Sequence, residues 1–391
     1  MALFRNDNDG QPRANSYPFY APRFWAGMGV SDYVGMMARN RFRVHLSRWP
    51  MVGLVGGCTV ASSALALFQR MFLNRKIENT ELAGPPIFVV GHWRSGTTLL
   101  HELLSLDEEF AYPTTFQCFV PTHHVASRPF IQPLVKLLMP SRRPMDAMPA
   151  GADLPQEDEF AMPCMGAPSP YFFLAFCREQ APWLEMLNFE GADPADIESL
   201  RNAITWFYKS VTYKKDKRLV LKSPTHTGRI AHLSRWFPGA RFVHITRHPY
   251  KIFPSTVHLW KSLCRYQGYQ LVPRDDQVFV DYVHECYQRM YAGYFSQIDE
   301  IPRENVVEIR FEEMLQDPEA AISGIYEQFE LPGFEKVQPR INEFWSQRKS
   351  HRRNKTQLDE TQRRQVDEIW GDYMERFEYE PESKIRAARP A

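Results

Sequence analysis

The chain has 391 residues, 24% of them charged and 44% hydrophobic, and its 47 Lys+Arg against 46 Asp+Glu leave a formal charge of +1. That balance excludes a generally basic nucleic-acid coat and a generally acidic chain, and an aromatic share of 14% excludes a disordered one. The length allows one large domain or two ordinary ones, with a core that needs no staples.

Six cysteines (Cys58, Cys118, Cys164, Cys177, Cys264, Cys286) are scattered, with no CxxC and no Cys/His cluster at zinc spacing. They read as reduced thiols of a cytoplasmic protein with no metal site. The opening MALFRNDNDGQPRANSYPFY is polar and has no apolar h-region, so no cleaved secretory signal is expected.

Residues 1–84 read as a helical N-terminal extension. Within it, 51–68 is a run of eighteen residues without charge, with Arg43 and Arg48 before and Arg70, Arg75 and Lys76 after. Six of the eighteen are Gly, Ser or Thr, which weakens the hydrophobic drive to span a bilayer. The segment is expected to be a tightly packed core helix or a docking helix, the latter making the protein peripherally membrane-associated. The remainder, 85–391, reads as the main domain.

The first clear strand is Ile87-Phe88-Val89-Val90, running into Gly91, with a helix opening near Gly96-Thr97-Thr98 and carrying Leu99, Leu100, Leu103 and Leu104. Twelve of the thirty prolines fall between Pro113 and Pro182, among Tyr112, Phe116, Phe119, Phe130, Tyr171, Phe172, Phe173 and Phe176. Proline interrupts long regular elements, so 113–182 reads as a lid or acceptor region inserted in the main domain, or else as an excursion covering a sheet edge. A helix is expected over 196–213, with Leu200, Ile204, Phe207 and Val211 on one face. Further strands are expected at 219–221, 242–245 and 306–309. Apolar strands alternating with amphipathic helices predict an α/β fold, a three-layer P-loop-like sandwich around a central parallel sheet.

The segment Gly91-His92-Trp93-Arg94-Ser95-Gly96-Thr97-Thr98 between strand and helix has the setting of a phosphate-binding loop. Its glycines let the chain turn tightly, and backbone N–H groups at the helix start point at an anion. The spacing is that of GxxxxGK[ST], except that Thr97 stands where the lysine belongs. Arg94 supplies the positive charge instead. A second signal is Arg247-His248-Pro249 at the end of a strand, with Ser255 eight residues on. An arginine at the carboxyl end of a parallel strand projects into the crevice where open α/β sheets bind ligands, and its planar fork suits phosphate. The strand-end position where an NTPase needs a magnesium-holding acid carries Arg247, which argues against a P-loop kinase or NTPase. A non-catalytic nucleotide-binding module is the other rival.

Taken together these segments resemble the sulfotransferases that use 3′-phosphoadenosine-5′-phosphosulfate, over most of the chain from Pro86 to about Glu382. PIFVVGHWRSGTTLLHELL resembles the family's 5′-phosphosulfate loop. LVLKSPTHTGRIAHLSRWFPGARFVHITRHPYKIFPS resembles the segment leading into its 3′-phosphate site. VVEIRFEEMLQDPEAAISGIYEQFELP resembles the strand and helix that follow. The likeness is greatest to a bacterial branch similar to carbohydrate and tyrosylprotein sulfotransferases.

The resemblance implies that Arg94, Ser95, Gly96, Thr97 and Thr98 hold the 5′-phosphosulfate and that Arg247 and Ser255 hold the 3′-phosphate. The chain lacks the C-terminal GxxGxxK element of the cytosolic branch. In its place 346–391 reads as a basic flap, with Arg352 and Arg353 over the nucleotide, followed by an amphipathic helix carrying Ile369, Trp370, Tyr373 and Phe377. The activity implied is transfer of a sulfuryl group to an acceptor hydroxyl, on a carbohydrate, a lipid-linked molecule or another bulky alcohol. No metal and no nucleic acid are implied.

The acceptor must lose a proton, so a general base is needed. Cytosolic relatives use a histidine two residues after a strand-end lysine. Lys222 matches that lysine and could stabilise the transition state, but Pro224 occupies the histidine's position and His226 lies two further on. Tyrosylprotein relatives use a glutamate just beyond the first helix, where this chain has Thr114-Thr115. Carbohydrate-type relatives place a glutamate in the lid, where Glu157 and Glu159 are available. His226, Glu157 and Glu159 are the leading candidates, with His101, His123 and His124 behind them. A solvated turn is the bland reading of the acidic cluster.

Overall fold

The computed structural model describes residues 21–143, 148–348 and 358–381. Two N-terminal helices, α1 (Val30–Arg39) and the long α2 (Trp49–Glu78), precede β1 (Ile87–Val90) and α3 (Thr97–Leu104). The two-residue β2 (Phe110–Ala111) leads into α4 (Thr115–Phe119), α5 (His124–Leu138) and the short α6 (Ala161–Cys164). Then come α7 (Pro194–Thr212), β3 (Arg218–Lys222), α8 (Ile230–Trp236), β4 (Arg241–Thr246), α9 (Pro249–Gln267) and α10 (Gln277–Gln297). The chain closes with β5 (Val306–Arg310), α11 (Phe311–Gln316), α12 (Pro318–Gln328), α13 (Phe334–Arg348), α14 (Glu360–Ile369) and α15 (Gly371–Arg376).

The five strands form one parallel sheet in the order β2-β3-β1-β4-β5. All four residues of β1 are buried. Because strand side chains alternate, Phe88 and Val90 face one core while Ile87 and Val89 face the other. The first core is completed by Leu200, Ile204, Phe207 and Val211 of α7, with Ile230, Leu233 and the aromatic side of α10. The second holds Leu100, Leu103 and Leu104 of α3, Ile322 and Ile325 of α12, and Val337 and Ile341 of α13. Helices on both faces make a three-layer α/β sandwich, as the near-continuous apolar strands predict. β1 lies between β3 and β4, so the strand order switches direction there, and it is beyond the carboxyl ends of strands at such a switch point that open α/β sheets place their ligand crevice.

The proline-rich stretch is no loose excursion. Phe116, Tyr171, Phe172, Phe173 and Phe176 are buried in the core, and Phe173 stacks on Tyr282 of α10 at 4.0 Å. The expected C-terminal helix is broken at Trp370 into α14 and α15, with Trp370 stacked on Tyr287 at 3.8 Å.

The segment 51–68 corrects one expectation. It lies within α2, but only Val55, Thr59, Ser62, Gln69 and Ile77 of that helix are buried, so it is not a tightly packed core helix. Its small and polar side chains face inward because they bond the body: Ser62 Oγ donates to Ala26 O at 3.0 Å, and Gln69 Nε2 donates to Thr122 O at 2.9 Å.

Candidate active site

At the end of β1 the chain turns through Gly91 (φ +137°) and Gly96 (φ +118°), with Arg94 also at positive φ, +68°. A Cβ on Gly91 would lie 2.5 Å from the Ile245 carbonyl oxygen, and one on Gly96 would lie 2.3 Å from the Phe311 ring, so the loop admits only glycine there. Thr227 Oγ1 accepts from Gly91 N at 2.8 Å, and Thr256 Oγ1 donates to Trp93 O at 3.1 Å. These bonds hold the loop from both sides, with the N-terminus of α3 directed into the crevice. The Ser95 hydroxyl is buried without a protein partner among the described residues, as suits a donor to a bound anion oxygen.

Three residues far apart in sequence meet at this loop. Arg94 Nε donates to Ser255 Oγ at 2.9 Å, and Arg247 Nη1 donates to the Arg94 carbonyl at 2.9 Å. All three are only partly buried, whereas β1 and all of β4 but Arg241, which lead into Arg94 and Arg247, are buried; Ser255 is supplied by α9. The C-terminal helices fix the Arg247 end. Arg247 N donates to Tyr373 Oη at 3.0 Å, and Tyr373 Oη donates back to Arg247 O at 3.1 Å. The guanidinium lies 4.3 Å over the Phe311 ring. Two guanidinium groups and a hydroxyl thus lie together beside a glycine-bounded loop, groups of the kind that hold phosphate oxygens.

Across the crevice, three successive carboxylates meet three side chains from the end of β3 and the turn after it. Glu157 Oε1 accepts from Lys222 Nζ at 2.7 Å, Asp158 Oδ2 pairs with His226 Nε2 at 2.8 Å, and Glu159 Oε2 accepts from Arg229 Nη2 at 2.7 Å. The acidic cluster is therefore not a solvated turn. Exposure separates the three: the Glu157 side chain is 15% exposed, while those of Asp158 and Glu159 are 1% and 0%. Glu159 is also bonded by Ser169 Oγ at 2.6 Å and Thr225 Oγ1 at 2.7 Å. Burial opposes ionisation of Asp158, but His226, Tyr208 and Arg229 outweigh it and hold the carboxyl below its usual range.

Glu157 has a second partner. Tyr171 Oη donates to its Oε2 at 2.5 Å and accepts from Trp93 Nε1, a loop side chain, at 2.9 Å. Two hydrogen bonds thus connect the phosphate loop to the one carboxylate of the three that reaches solvent. Burial pushes the Tyr171 phenol well up, so it stays a donor. Burial also pushes Lys222 down, against the opposing pull of Glu157.

A model of the sulfotransferase family matches residues 85–336, which contain the loop, Arg247, Ser255 and the three pairs. The chain belongs to the sulfotransferase family. It is also 36% identical over 371 residues to omega-hydroxy-beta-dihydromenaquinone-9 sulfotransferase Stf3 of Mycobacterium bovis and of Mycobacterium tuberculosis, covering 94% of each chain. Its fold is similar to that of sulfotransferase STF9 from Mycobacterium avium, with a TM-score of 0.60 at 18% identity over 90% of this chain and 97% of that one. Sulfotransferase STF1 from Mycobacterium tuberculosis H37Rv gives 0.58 at 16% identity over 79% of this chain and 86% of that one. The protein is therefore a bacterial-type sulfotransferase, and the family implies 3′-phosphoadenosine-5′-phosphosulfate as the sulfuryl donor.

In this sulfotransferase the expected donor residues Arg94 to Thr98, Arg247 and Ser255 come together at one end of the sheet. Arg352 and Arg353 lie outside the described residues. Lys222 and Glu157 form one contact pair at the crevice, while His226 and Glu159 are buried behind it. His226 Nε2 is taken by Asp158, and its ring is edge-on to Phe88 at 5.4 Å. His101 is buried with Nε2 3.3 Å from Val220 O. His123 and His124 bond Ser127 and Ser210 at 2.8 and 2.9 Å. Sequence reasoning missed Tyr171, one aromatic among many in its segment, and missed Asp158 and Arg229, whose only sequence signal was the proximity of opposite charges in two motifs.

The buried histidines set an acid limit to stability. Burial pushes His92, His101 and His124 down to about 3 from the ordinary 6.5. Below the ordinary value the unfolded chain takes up protons that the native one refuses, so stability falls as pH drops from 6.5 towards 3. The slope is at most about 1.4 kcal/mol per pH unit for each histidine. Urea midpoints measured across pH should be level above neutrality and decline once pH passes below 6.5, well before carboxylates protonate. A midpoint level down to pH 4.5 would sink this account.

Proposed function

We propose that this sulfotransferase uses Glu157 as general base and Lys222 as the adjacent cation, and that its acceptor is the hydroxyl of an apolar, lipid-like molecule. The observation that carries the base assignment is the position of Glu157. It is the partly exposed carboxylate at the crevice, bonded to strand-end Lys222 and joined through Tyr171 to Trp93 of the phosphate loop.

When bound, the donor supplies an activated sulfuryl group on a phosphate leaving group. The N-terminus of α3, Arg94, Ser95, Gly96, Thr97 and Thr98 would hold its 5′ side, and Arg247 and Ser255 its 3′-phosphate. The protein's work is then positioning and charge neutralisation. Glu157 takes the proton from the acceptor hydroxyl as the oxygen approaches sulfur. Once neutral, Glu157 no longer holds Lys222 as an ion pair, and the ammonium can answer the charge growing on the leaving side. Tyr171 fixes the other carboxylate oxygen, leaving the proton a defined destination.

The acceptor class draws on the curated relative, named for a hydroxylated dihydromenaquinone and alike over nearly the whole length of both chains. Turnover should be measurable with long-chain or polyprenyl alcohols in detergent and should be at least about tenfold lower with free sugars, a ratio well within what loss of apolar burial produces. Equal turnover of both would remove the lipid reading.

The donor site is tested by calorimetric titration with adenosine 3′,5′-bisphosphate. Arg247→Ala removes charge-assisted hydrogen bonds worth about 1.5–3 kcal/mol, so affinity should fall by roughly 10- to 150-fold. Arg247→Lys keeps the charge but loses the planar fork and should recover only part of it. Unchanged affinity in Arg247→Ala would move the 3′-phosphate elsewhere.

A further inference from the structure

The outer side of α2 is apolar and faces away from the protein. Its inward side carries Val55, Thr59, Ser62, Gln69 and Ile77, three of them polar, while Leu54, Val60, Leu67, Phe68, Met71 and Phe72 are exposed, Val60 at 61% and Met71 at 69%. This departs from the usual surface helix, whose large apolar side chains face the core. From Trp49 to Gln69 the helix has no charge, a stretch of about 30 Å at 1.5 Å per residue. A second apolar row lies on α5, the helix that Gln69 clamps to α2 by accepting from Ala126 N at 2.9 Å. There Phe130 and Leu137 are 77% and 80% exposed. Aromatic Phe42 and Trp49 are exposed where α2 begins.

Charge identifies the occupant. Between Asp32 and Glu78 the sequence has seven Lys/Arg and no acidic residue, in a chain whose formal charge is +1, so the rest of the protein is net negative. In sequence the cations bracket the apolar face, Arg39, Arg41, Arg43 and Arg48 before it and Arg70, Arg75 and Lys76 after; of these Arg43 pairs with Glu179 at 2.7 Å and half-buried Arg48 donates to Arg265 O at 2.8 Å. Arg39, Arg41 and Arg43 also line a cavity of about 500 Å³ with Trp183 and Phe172. A second copy of this chain would bring basic ends together whether the helices met parallel or antiparallel. An anionic lipid surface complements both features at once, taking up the apolar row and attracting the cations. The helix does not leave the body to span, since Ser62 and Gln69 bond it there and would be unsatisfied in hydrocarbon.

We propose that the outer face of α2, together with its flanking cations, docks this sulfotransferase onto anionic membrane surfaces, lying in the interface rather than crossing it. The inference stands apart from the acceptor reading, because its test needs no turnover. Cys58 is exposed on α2 and the other five cysteines are buried, so a polarity-sensitive maleimide reports this face. The full chain, labelled and unlabelled, is mixed with vesicles of phosphatidylcholine alone or with 30% phosphatidylglycerol (about 30%, a composition giving a clearly negative surface), then floated on a density gradient.

The expected result is a blue shift and flotation with the anionic vesicles, at least about tenfold weaker with phosphatidylcholine or at high salt. The Leu67→Glu/Phe72→Glu variant should lose flotation by a similar factor while binding adenosine 3′,5′-bisphosphate as before. No flotation of the wild-type protein overturns the proposal. So does flotation that the double variant leaves intact, or a vesicle-independent blue shift accompanied by a dimer in sedimentation that the variant abolishes, which would make the face a contact between copies.

Discussion

Glu157→Gln is expected to lower kcat by about 10²- to 10⁴-fold, the usual contribution of a positioned general base, while leaving affinity for adenosine 3′,5′-bisphosphate within about threefold. Glutamine is isosteric, but its single amide oxygen can accept from Tyr171 Oη or from Lys222 Nζ and not from both, so the change keeps the packing while removing proton acceptance and the Lys222 ion pair. The neighbours provide the control. His226 and Glu159 were also candidates on sequence grounds, yet their side chains are fully buried and bonded to Asp158 and Arg229. Their loss should appear in stability first. If kcat of Glu157→Gln stays within threefold of wild type across pH, the base is another group. Tyr171→Phe offers a graded check on the same oxygen: it should lower kcat, by less than Glu157→Gln does, without altering donor affinity. A purely structural tyrosine would leave kcat of the folded enzyme unchanged.

Arg229→Ala should cost about 3–5 kcal/mol of stability, the range found when one partner of a buried ion pair is removed. The reason is the carboxylate left behind. Glu159 is 0% exposed, and two hydroxyls, Ser169 and Thr225, would then be its remaining partners. The paired replacement Arg229→Met with Glu159→Gln leaves no buried charge and should recover most of the loss, because the cost lies in the orphaned ion more than in the missing bond. Urea unfolding of the two variants decides this. A single variant as stable as wild type, or a pair no better than the single, would mean that Glu159 reaches water by some route.

The two predictions separate the carboxylate proposed to take the proton from one that holds the fold. Glu157, Asp158 and Glu159 lie in a chain segment of ordinary polarity, and each is matched in order by Lys222, His226 and Arg229. The run of three pairs pins the 113–182 region to the end of β3. Rigid attachment is what a base needs if it is to meet the acceptor oxygen at a fixed distance from the phosphate loop.

Much was legible in the sequence because its cause is local. Ile87–Val90 is an unbroken apolar run, and such a run beside a glycine turn and a helix start is a buried parallel strand feeding a loop. The structure places β1 at those four residues. Strands β3, β4 and β5 extend the expected segments by one or two residues at their ends, where hydrogen bonding rather than hydrophobicity sets the limit. Leu200, Ile204, Phe207 and Val211 are all buried, since a 3.6-residue repeat determines which side of a helix is dry. Gly91 and Gly96 stand where a side chain would strike Ile245 and Phe311. The residues proposed for the donor site come from the family resemblance, whose motifs are short segments that a sequence displays whole.

The two-residue β2 has no periodicity to read, and the direction α2 faces is invisible in its sequence. Its small, polar and apolar residues allow either side to turn inward, and the choice follows from which backbone groups of the body, Ala26 O and Thr122 O among them, need partners. The base could not be chosen from sequence either. A histidine and a glutamate in water can each accept a proton at neutral pH, so residue type alone does not choose among His226, Glu157 and Glu159. What divides them is depth: the fold buries two behind the sheet end and leaves the third, held by Lys222 and Tyr171, at the crevice. Local pattern thus determined the strands and the loop, and the family resemblance of the motifs gave the class of chemistry. Which acid stands at the crevice and which face of α2 meets solvent were decided by long-range packing, since burial and partner geometry exist only once distant segments have met.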